Sequence, residues 1–296
     1  MQTIIPTAER LGEVKEYYFS TKLREIAQLR SQGKPIINLG IGSPDLPPAP
    51  AVVEALVRAA NHPGSHGYQP YAGLPSLREA FADWYACFFG VTLFPDQEIL
   101  PLIGSKEGIM HISMAFLNPG DEVLVPNPGY PTYRSATELA GGKIRDYKLS
   151  EANGWLPDLE ALEGEDLSKV KIMWVNYPHM PTGTATPAGF YEKLVGFARR
   201  NSILICNDNP YAFILTEERQ SLLAVPGAKD VAIELCSLSK AQNMAGWRVG
   251  AVAGATEYLK SIIRFKSNMD SGTFRPIQEA AIVALGLGED WYASLN

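Results

Sequence analysis

A lysine flanked by hydroxyl groups and followed by an arginine is the feature of this sequence most capable of chemistry. The stretch SLSKAQNMAGWRVG occupies residues 237–250, directly after an apolar run that predicts a buried strand. Desolvation just past such a strand disfavours the ammonium form of Lys240, and its neutral amine can then form a Schiff base. Ser237, Ser239 and Arg248 are donors of the kind that a dianionic phosphate needs. A lysine combined with phosphate donors is what pyridoxal 5'-phosphate (PLP) requires.

The order Ser-x-Ser-Lys followed by Gly-x-Arg-x-Gly resembles the lysine motif of class I/II (fold type I) aminotransferases. It is particularly similar to members like LL-diaminopimelate aminotransferase. The resemblance implies that Lys240 is the catalytic lysine and carries the internal aldimine of PLP, and that Ser237, Ser239 and Arg248 hold the phosphate. A lone lysine after a strand is more often a solvated surface residue, so the motif as a whole supports this interpretation.

A second candidate anion site lies at the turn Gly104-Ser105-Lys106. It follows a predicted strand, residues 99–103, and precedes an apolar helix, so free backbone N–H groups stand at the positive end of a helix dipole. Many α/β proteins contain such turns, and most of these turns bind nothing. In the family resembled, the backbone of Ser105 and Lys106 contacts the cofactor phosphate.

An aromatic residue in a proline-rich corner is a candidate for holding a flat cofactor. The phrase PGDEVLVPNPGYPTY at residues 119–133 is similar to the same aminotransferases, and the resemblance implies that Tyr130 stacks on the pyridine ring. Packing in the corner is the more common role of such a tyrosine.

The segment Asn207-Asp208-Asn209-Pro210 follows another predicted strand, residues 202–206. Its local chemistry favours a turn. However, open α/β sheets bind ligands beyond the carboxyl ends of their strands, and a carboxylate there can pair with a protonated pyridine nitrogen. The resemblance assigns that role to Asp208 and assigns a hydrogen bond with the phenolic oxygen of the cofactor to Tyr211.

Three further positions are implied by the resemblance. Gly40 and Tyr17 match positions on the substrate side of the cofactor, and Tyr68 matches a tyrosine that reaches the phosphate bound by the partner subunit. The last match predicts a homodimer with shared active sites. Considered alone, loop tyrosines are usually packing residues.

The segment NYPHMPTG at residues 176–183 departs from the family pattern, which has Asn-Pro-Thr-Gly here. Met180 stands where the family has an asparagine that donates to the phenolic oxygen of the cofactor. A methionine offers no such donor.

Predicted strands near residues 99–103, 123–126, 170–175, 202–206 and 231–237 alternate with helical segments, which favours an α/β fold with a mostly parallel sheet. The resemblance specifies this as the large domain of fold type I PLP-dependent transferases, flanked by helices, with most of the small C-terminal domain absent. It divides the chain into residues 1–45, an N-terminal arm and small-domain segment, and residues 46–296, the large PLP-binding domain. Residues 36–39 are expected to form a short strand, and Ser76 with Glu79 predicts a helix-capping box.

The composition of the 296 residues is that of a globular protein, with 46% hydrophobic and 20% charged residues. A net charge of −6 argues against nucleic acid or an anionic membrane as a partner. Three widely spaced cysteines show no metal-ligand pattern, and no apolar run approaches the ~18–20 residues of a membrane span, so a cytoplasmic protein without a metal site is expected.

These observations favour an aminotransferase that moves an amino group between an amino acid and a 2-oxo acid, with Lys240 as general base and acid. One alternative is a PLP-dependent carbon–sulfur β-lyase, because related sequences share the large-domain motifs. The other is a non-catalytic relative that binds PLP or a partner chain, which the residue Met180 and the length of the chain both favour.

Overall fold

The computed structural model describes residues 4–12, 14–40, 42–216 and 218–296, which contain a seven-stranded sheet. Its strands are β1 (Ile99–Leu102), β2 (Glu122–Asn127), β3 (Lys143–Lys148), β4 (Val170–Val175), β5 (Leu204–Asp208), β6 (Ala232–Ser237) and β7 (Gly250–Gly254). The strand order is β1-β7-β6-β5-β4-β2-β3. Strand β7 pairs antiparallel with β1 and β6, and the other pairs are parallel. The prediction of an α/β fold with a mostly parallel sheet is confirmed.

Helices cover both faces of this sheet. They are α1 (Tyr18–Ser31), α2 (Pro50–Ala60), α3 (Pro75–Phe89), α4 (Pro95–Glu98), α5 (Ser105–Phe116), α6 (Pro131–Leu139), α7 (Leu159–Glu163), α8 (Phe190–Asn201), α9 (Thr256–Lys266), α10 (Arg275–Leu285) and α11 (Glu289–Leu295). Alternate residues of β4 serve the two faces: Ile172 and Trp174 pack with α5, α6 and α9, whereas Met173 and Val175 pack with α7 and α8. Burial on both faces explains why the inner strands are continuous apolar runs.

Two local predictions were wrong. Residues 36–39 form no strand, and Ile37 and Leu39 are 84% and 90% exposed. Helix α3 begins at Pro75, so Ser76 lies inside the first turn and does not cap it. Strand β3 was not predicted at all, because its sequence KIRDYK at the edge of the sheet is mostly polar and only its Tyr147 is fully buried.

The strand directions bring distant segments to one edge of the sheet. Strands β5 and β6 are parallel and end at Asp208 and Ser237. Strand β7 is antiparallel to β6, so its first residue, Gly250, pairs with Ser237. Gly250 also pairs with Leu102, which directly precedes the turn into α5. The order and direction of the strands therefore bring four segments together at the carboxyl ends of β5 and β6. These segments carry Asp208, Ser237, Arg248 and Ser105.

Helix α5 lies against the sheet through Gly108. A Cβ atom added there would lie 2.6 Å from Leu102 Cδ1 and 2.7 Å from Leu235 Cδ2. We expect Gly108→Ala to destabilise the protein by about 1–3 kcal/mol through overpacking, although alanine improves helix propensity by up to ~1 kcal/mol. Urea unfolding would measure the difference. Gly196→Ala in α8 is the matched control, because its Cβ meets only the flexible end of Arg200. A gain in stability from Gly108→Ala equal to that of the control would contradict this packing argument.

Candidate active site

The side chain of Lys240 enters a cleft of about 360 Å³ at this edge of the sheet. Its Nζ donates a hydrogen bond to the carbonyl oxygen of Gly42 at 2.7 Å and lies 5.8 Å from the centre of the Tyr211 ring. Burial and the nearby Arg248 guanidinium lower the pKa of Lys240 below its ordinary value. Both causes favour the neutral amine, which is the form a nucleophile or general base needs.

The cleft collects nine of the residues that the sequence identified as candidates. Five other residues complete its lining, namely Tyr133, Asn176, Met180, Pro210 and Ala245. The nine candidates are Ser105, Lys106, Tyr130, Asp208, Tyr211, Ser237, Ser239, Lys240 and Arg248.

The Arg248 guanidinium lies across the turn that begins α5. Its Nη1 donates to the carbonyl oxygen of Ala245 at 2.8 Å and lies 3.4 Å from Ser239 Oγ. Gly104 has a φ of +78°, and a Cβ atom there would lie 2.1 Å from Arg248 Nη2. Only glycine leaves room for the arginine at this point. A guanidinium, serine hydroxyls and a helix N-terminus are together a donor set suited to a phosphate.

Asp208 is a buried carboxylate with one unsatisfied oxygen. Its Oδ2 accepts a hydrogen bond from the Tyr133 hydroxyl at 2.9 Å, and its Oδ1 is buried with no hydrogen-bond partner among the described residues. Burial raises the pKa of Asp208 to about 6, while the Tyr133 hydrogen bond opposes the rise. A protonated ring nitrogen is the kind of donor that Oδ1 lacks. The residues of the cleft therefore fit PLP.

Two residues that support Asp208 were missed in the sequence. The Asn176 side chain donates to the backbone carbonyl of Asp208 at 2.6 Å and accepts the Met180 N–H at 2.9 Å. The ring of Tyr133 stacks on Trp174, with centres 5.0 Å apart and planes 7° apart. Only an indirect indication of them is present in the sequence: Tyr133 lies in the same motif as Tyr130, and Asn176 lies in the same motif as Met180.

Three predicted residues lie outside the cleft lining. Tyr17 is adjacent to the cleft, and Lys106 Nζ stands 3.6 Å from the centre of the Tyr17 ring. The pKa of Tyr17 is raised, mainly by burial and secondly by a hydrogen bond with Tyr130. Gly40 is exposed and lines a separate groove beside α1. Tyr68 is 93% exposed and lies in a loop near Gly272. The roles of these residues stay predictions.

Comparison with known proteins identifies the family of the chain. The model of the class I and II aminotransferases matches residues 34–290. The chain belongs to this family. LL-diaminopimelate aminotransferases of Nitratidesulfovibrio vulgaris and Aquifex aeolicus are each 45% identical to it, over 98% and 96% of the chain and 75% and 74% of their own lengths. The substrate-bound structure of BacF from Bacillus subtilis has a TM-score of 0.96 at 36% identity, over 99% of this chain and 74% of that one.

This class I/II aminotransferase is a PLP-dependent enzyme that transfers an amino group between an amino acid and a 2-oxo acid. Its α/β fold with a mostly parallel sheet is that of fold type I. Within the residues that the structure describes, no helix combines the length and apolar character needed to cross a membrane.

The raised pKa of Asp208 makes the stability of the cofactor-free protein depend on pH. Since the folded carboxyl binds its proton more tightly than the unfolded one, with a pKa of about 6 against 3.8, stability is lost as pH rises from about 4 through about 6. Asp208→Asn should remove this loss, on the order of 2–3 kcal/mol. Denaturant unfolding across this pH range measures it, with the exposed Asp83→Asn in α3 as control. An identical pH profile for Asp208→Asn and wild type would contradict the assignment.

Arg248→Ala should weaken PLP binding by about tenfold to a hundredfold, because charge-assisted hydrogen bonds contribute roughly 1.5–3 kcal/mol each. Titration followed by absorbance or fluorescence gives the dissociation constant. Arg264→Ala, an exposed arginine of α9, is the matched control and should leave it unchanged. Equal constants for wild type and Arg248→Ala would place the phosphate elsewhere.

Proposed function

We propose that Lys240 binds PLP covalently and moves the substrate proton in the cleft at the edge of the sheet. The lowered pKa of Lys240 and the unsatisfied Oδ1 of Asp208 support this assignment. The proposed phosphate ligands are Ser237, Ser239, Arg248 and the backbone of Ser105 and Lys106.

Bound PLP supplies an electron sink for the bond broken at the substrate α-carbon. Asp208, ionised on gaining a cationic partner, holds the ring nitrogen protonated. The amino group of the substrate would displace Lys240 Nζ from the cofactor, and the released neutral amine would then take the α-proton and return it to the cofactor carbon from which the lysine was displaced. Burial raises the pKa of Tyr211 to about 12, with Asp208 and Tyr130 contributing, so its hydroxyl stays protonated and can donate to the phenolic oxygen. Met180 lines the cleft but offers no second donor.

Tyr130 is proposed to cover the ring face. Its ring already stands edge-on to Tyr133, with the two centres 5.6 Å apart and the planes at 78°. Tyr133 is fixed in turn by its contacts with Trp174 and Asp208. This arrangement gives Tyr130 a rigid support against which a flat cofactor can be oriented.

We propose LL-diaminopimelate, the substrate named in the most similar relatives that we report, as the amino donor. The observation that carries this proposal is Lys106, which lines the cleft and places its Nζ 3.6 Å from the centre of the Tyr17 ring. Burial and the Arg248 charge lower its pKa, so an anionic partner would be favourable there. An amino acid with a second carboxylate at its far end supplies that partner. Tyr17 and Gly40 are proposed to contribute to the same substrate side.

We propose that the enzyme works as a homodimer in which Tyr68 completes the phosphate site of the partner subunit. Its 93% exposure leaves its hydroxyl free to reach another chain.

Residues 1–45 are proposed as the N-terminal arm and small-domain segment and residues 46–296 as the PLP-binding domain. Helix α1 buries no residue, which fits this division. The free thiols of Cys87, Cys206 and Cys236 suit a cytoplasmic location.

Covalent labelling and substrate comparison test the proposed function. Borohydride reduction of the PLP-loaded protein followed by peptide mapping should place the adduct on Lys240. Amino transfer from LL-diaminopimelate to a 2-oxo acid should yield the 2-oxo acid of the donor and the amino acid of the acceptor. Lys106→Met should raise KM for LL-diaminopimelate about tenfold. It should leave KM for alanine unchanged, because alanine has no second carboxylate.

Four outcomes would overturn parts of this assignment. An adduct on Lys106, or on no lysine, would remove Lys240 from its role. Equal effects of Lys106→Met on both substrates would remove the carboxylate contact. Elimination products from a sulfur-containing amino acid in place of amino exchange would support the β-lyase alternative, and PLP binding without turnover would support a non-catalytic relative.

A further inference from the structure

A cluster of ionisable side chains lies behind the first turn of α5, with Lys266 and His111 buried and Glu107 and Asp270 partly buried. Glu107 and His111 belong to α5, Lys266 is the last residue of α9, and Asp270 follows it by one turn. The Lys266 side chain is only 2% exposed, and its Nζ lies 2.5 Å from Asp270 Oδ2 and 3.6 Å from Glu107 Oε1. A fully buried lysine is rare unless it is paired, so the cluster is built around this cation.

Glu107 ties the cluster to the turn that precedes α5. Its Oε2 accepts the backbone N–H of Ile103 at 2.6 Å, and its Oε1 lies 3.1 Å from His111 Nε2. Burial raises the pKa of Glu107. His111, Lys266 and the Ile103 N–H lower it by more than burial raises it, so the pKa lies below its ordinary value. Glu107 is therefore a carboxylate at neutral pH.

This carboxylate stands in the same helical turn as the proposed phosphate ligands. Glu107 is the third residue of α5, directly after Ser105 and Lys106. A negative charge at a helix N-terminus satisfies the same dipole that would otherwise attract a phosphate, and it repels a dianion at short range. An unpaired Glu107 would thus oppose the function proposed for the turn.

Lys266 is placed to offset that charge, and it shares its ammonium between Glu107 and the nearer carboxylate of Asp270. Glu107, His111 and Asp270 bring ligand atoms within 4.8 Å of one another, as at a metal site, but the Lys266 ammonium already stands among them as the cation. Asp270 fixes the ammonium from the far side, and its own Oδ1 accepts the N–H of Gly272 at 2.9 Å. The lysine is therefore held against α5 by a loop outside the cleft.

We propose that Lys266 is a positioning residue for the cofactor phosphate: its ammonium offsets the charge of Glu107 and thereby keeps the N-terminus of α5 available to a dianion. The inference rests on the proposed role of Ser105 and Lys106 as phosphate ligands. Lys266 does not line the cleft, so it makes no contact with the cofactor and acts through its charge and its pairing with Glu107.

The test compares PLP with pyridoxal, which has the same ring and aldehyde but no phosphate. Lys266→Met should raise the dissociation constant for PLP about tenfold, because Glu107 and Asp270 then lose the cation between them close to the proposed phosphate site, and should leave that for pyridoxal unchanged. Lys260→Met is the matched control, since Lys260 lies on the same helix and pairs with Glu257 at the exposed surface. The control should change neither constant.

A charge rescue separates electrostatics from packing. Adding Glu107→Gln to Lys266→Met should restore PLP affinity to within about twofold of wild type, because glutamine keeps the acceptor for the Ile103 N–H and carries no charge. Equal weakening of PLP and pyridoxal by Lys266→Met, or no rescue by the second substitution, would overturn the proposal.

Two further results keep the inference separate from the function on which it rests. If Lys266→Met does not fold, as circular dichroism would show, Glu107→Gln alone decides: PLP affinity should hold or rise, and a fall specific to PLP would overturn the proposal. If wild type binds PLP no better than pyridoxal, the proposed phosphate site itself is wrong. Phosphate-dependent binding that Lys266→Met leaves unchanged would overturn only the role of Lys266.

Discussion

The contact between the Arg248 guanidinium and the bare backbone of Gly104 is the constraint on which the active site depends. Arg248 adopts a left-handed backbone conformation, with φ of 59° and ψ of 58°, that is uncommon for a residue with a side chain. A second glycine, Gly250, lets β7 approach the same turn, since a Cβ atom there would lie 3.0 Å from the Ser105 nitrogen and 2.6 Å from the Cys236 carbonyl oxygen. Strands and turn can converge at the proposed phosphate site only because these two side chains are absent.

The electrostatic balance of the cleft follows from this convergence. Lys106, Lys240 and Arg248 bring three cationic groups to a cleft in which Asp208 is the buried carboxylate. Each lysine has its pKa lowered by burial and by the arginine, and burial raises that of Asp208. All three shifts favour neutral forms, and a ligand with both an anionic and a cationic group would favour the charged forms again, which suits the proposed placing of the phosphate and the ring nitrogen of PLP.

The charged cluster behind α5 extends the same argument beyond the cleft. A helix N-terminus attracts the carboxylate of its own third residue as readily as it attracts a phosphate. The buried ammonium of Lys266 lets the chain keep Glu107 as an acceptor for the Ile103 N–H without leaving its charge uncompensated. Catalytic groups and buried structural charges are therefore parts of one electrostatic arrangement.

The sequence by itself determined the features encoded over short distances. The apolar runs of the inner strands and the order Ser-x-Ser-Lys were legible, because burial on both faces leaves a local pattern. Asp208 was expected in a turn after residues 202–206, but it is the last residue of β5. Tertiary structure alone decided which partners those residues have. Tyr133 of α6 donates to Asp208 at the end of β5, and Lys266 of α9 lies beside Glu107 of α5. The polar edge strand β3 forms because β2 supplies its hydrogen bonds, whereas residues 36–39 stay outside the sheet. Contacts between residues distant in sequence depend on strand order and direction, which no local spacing records.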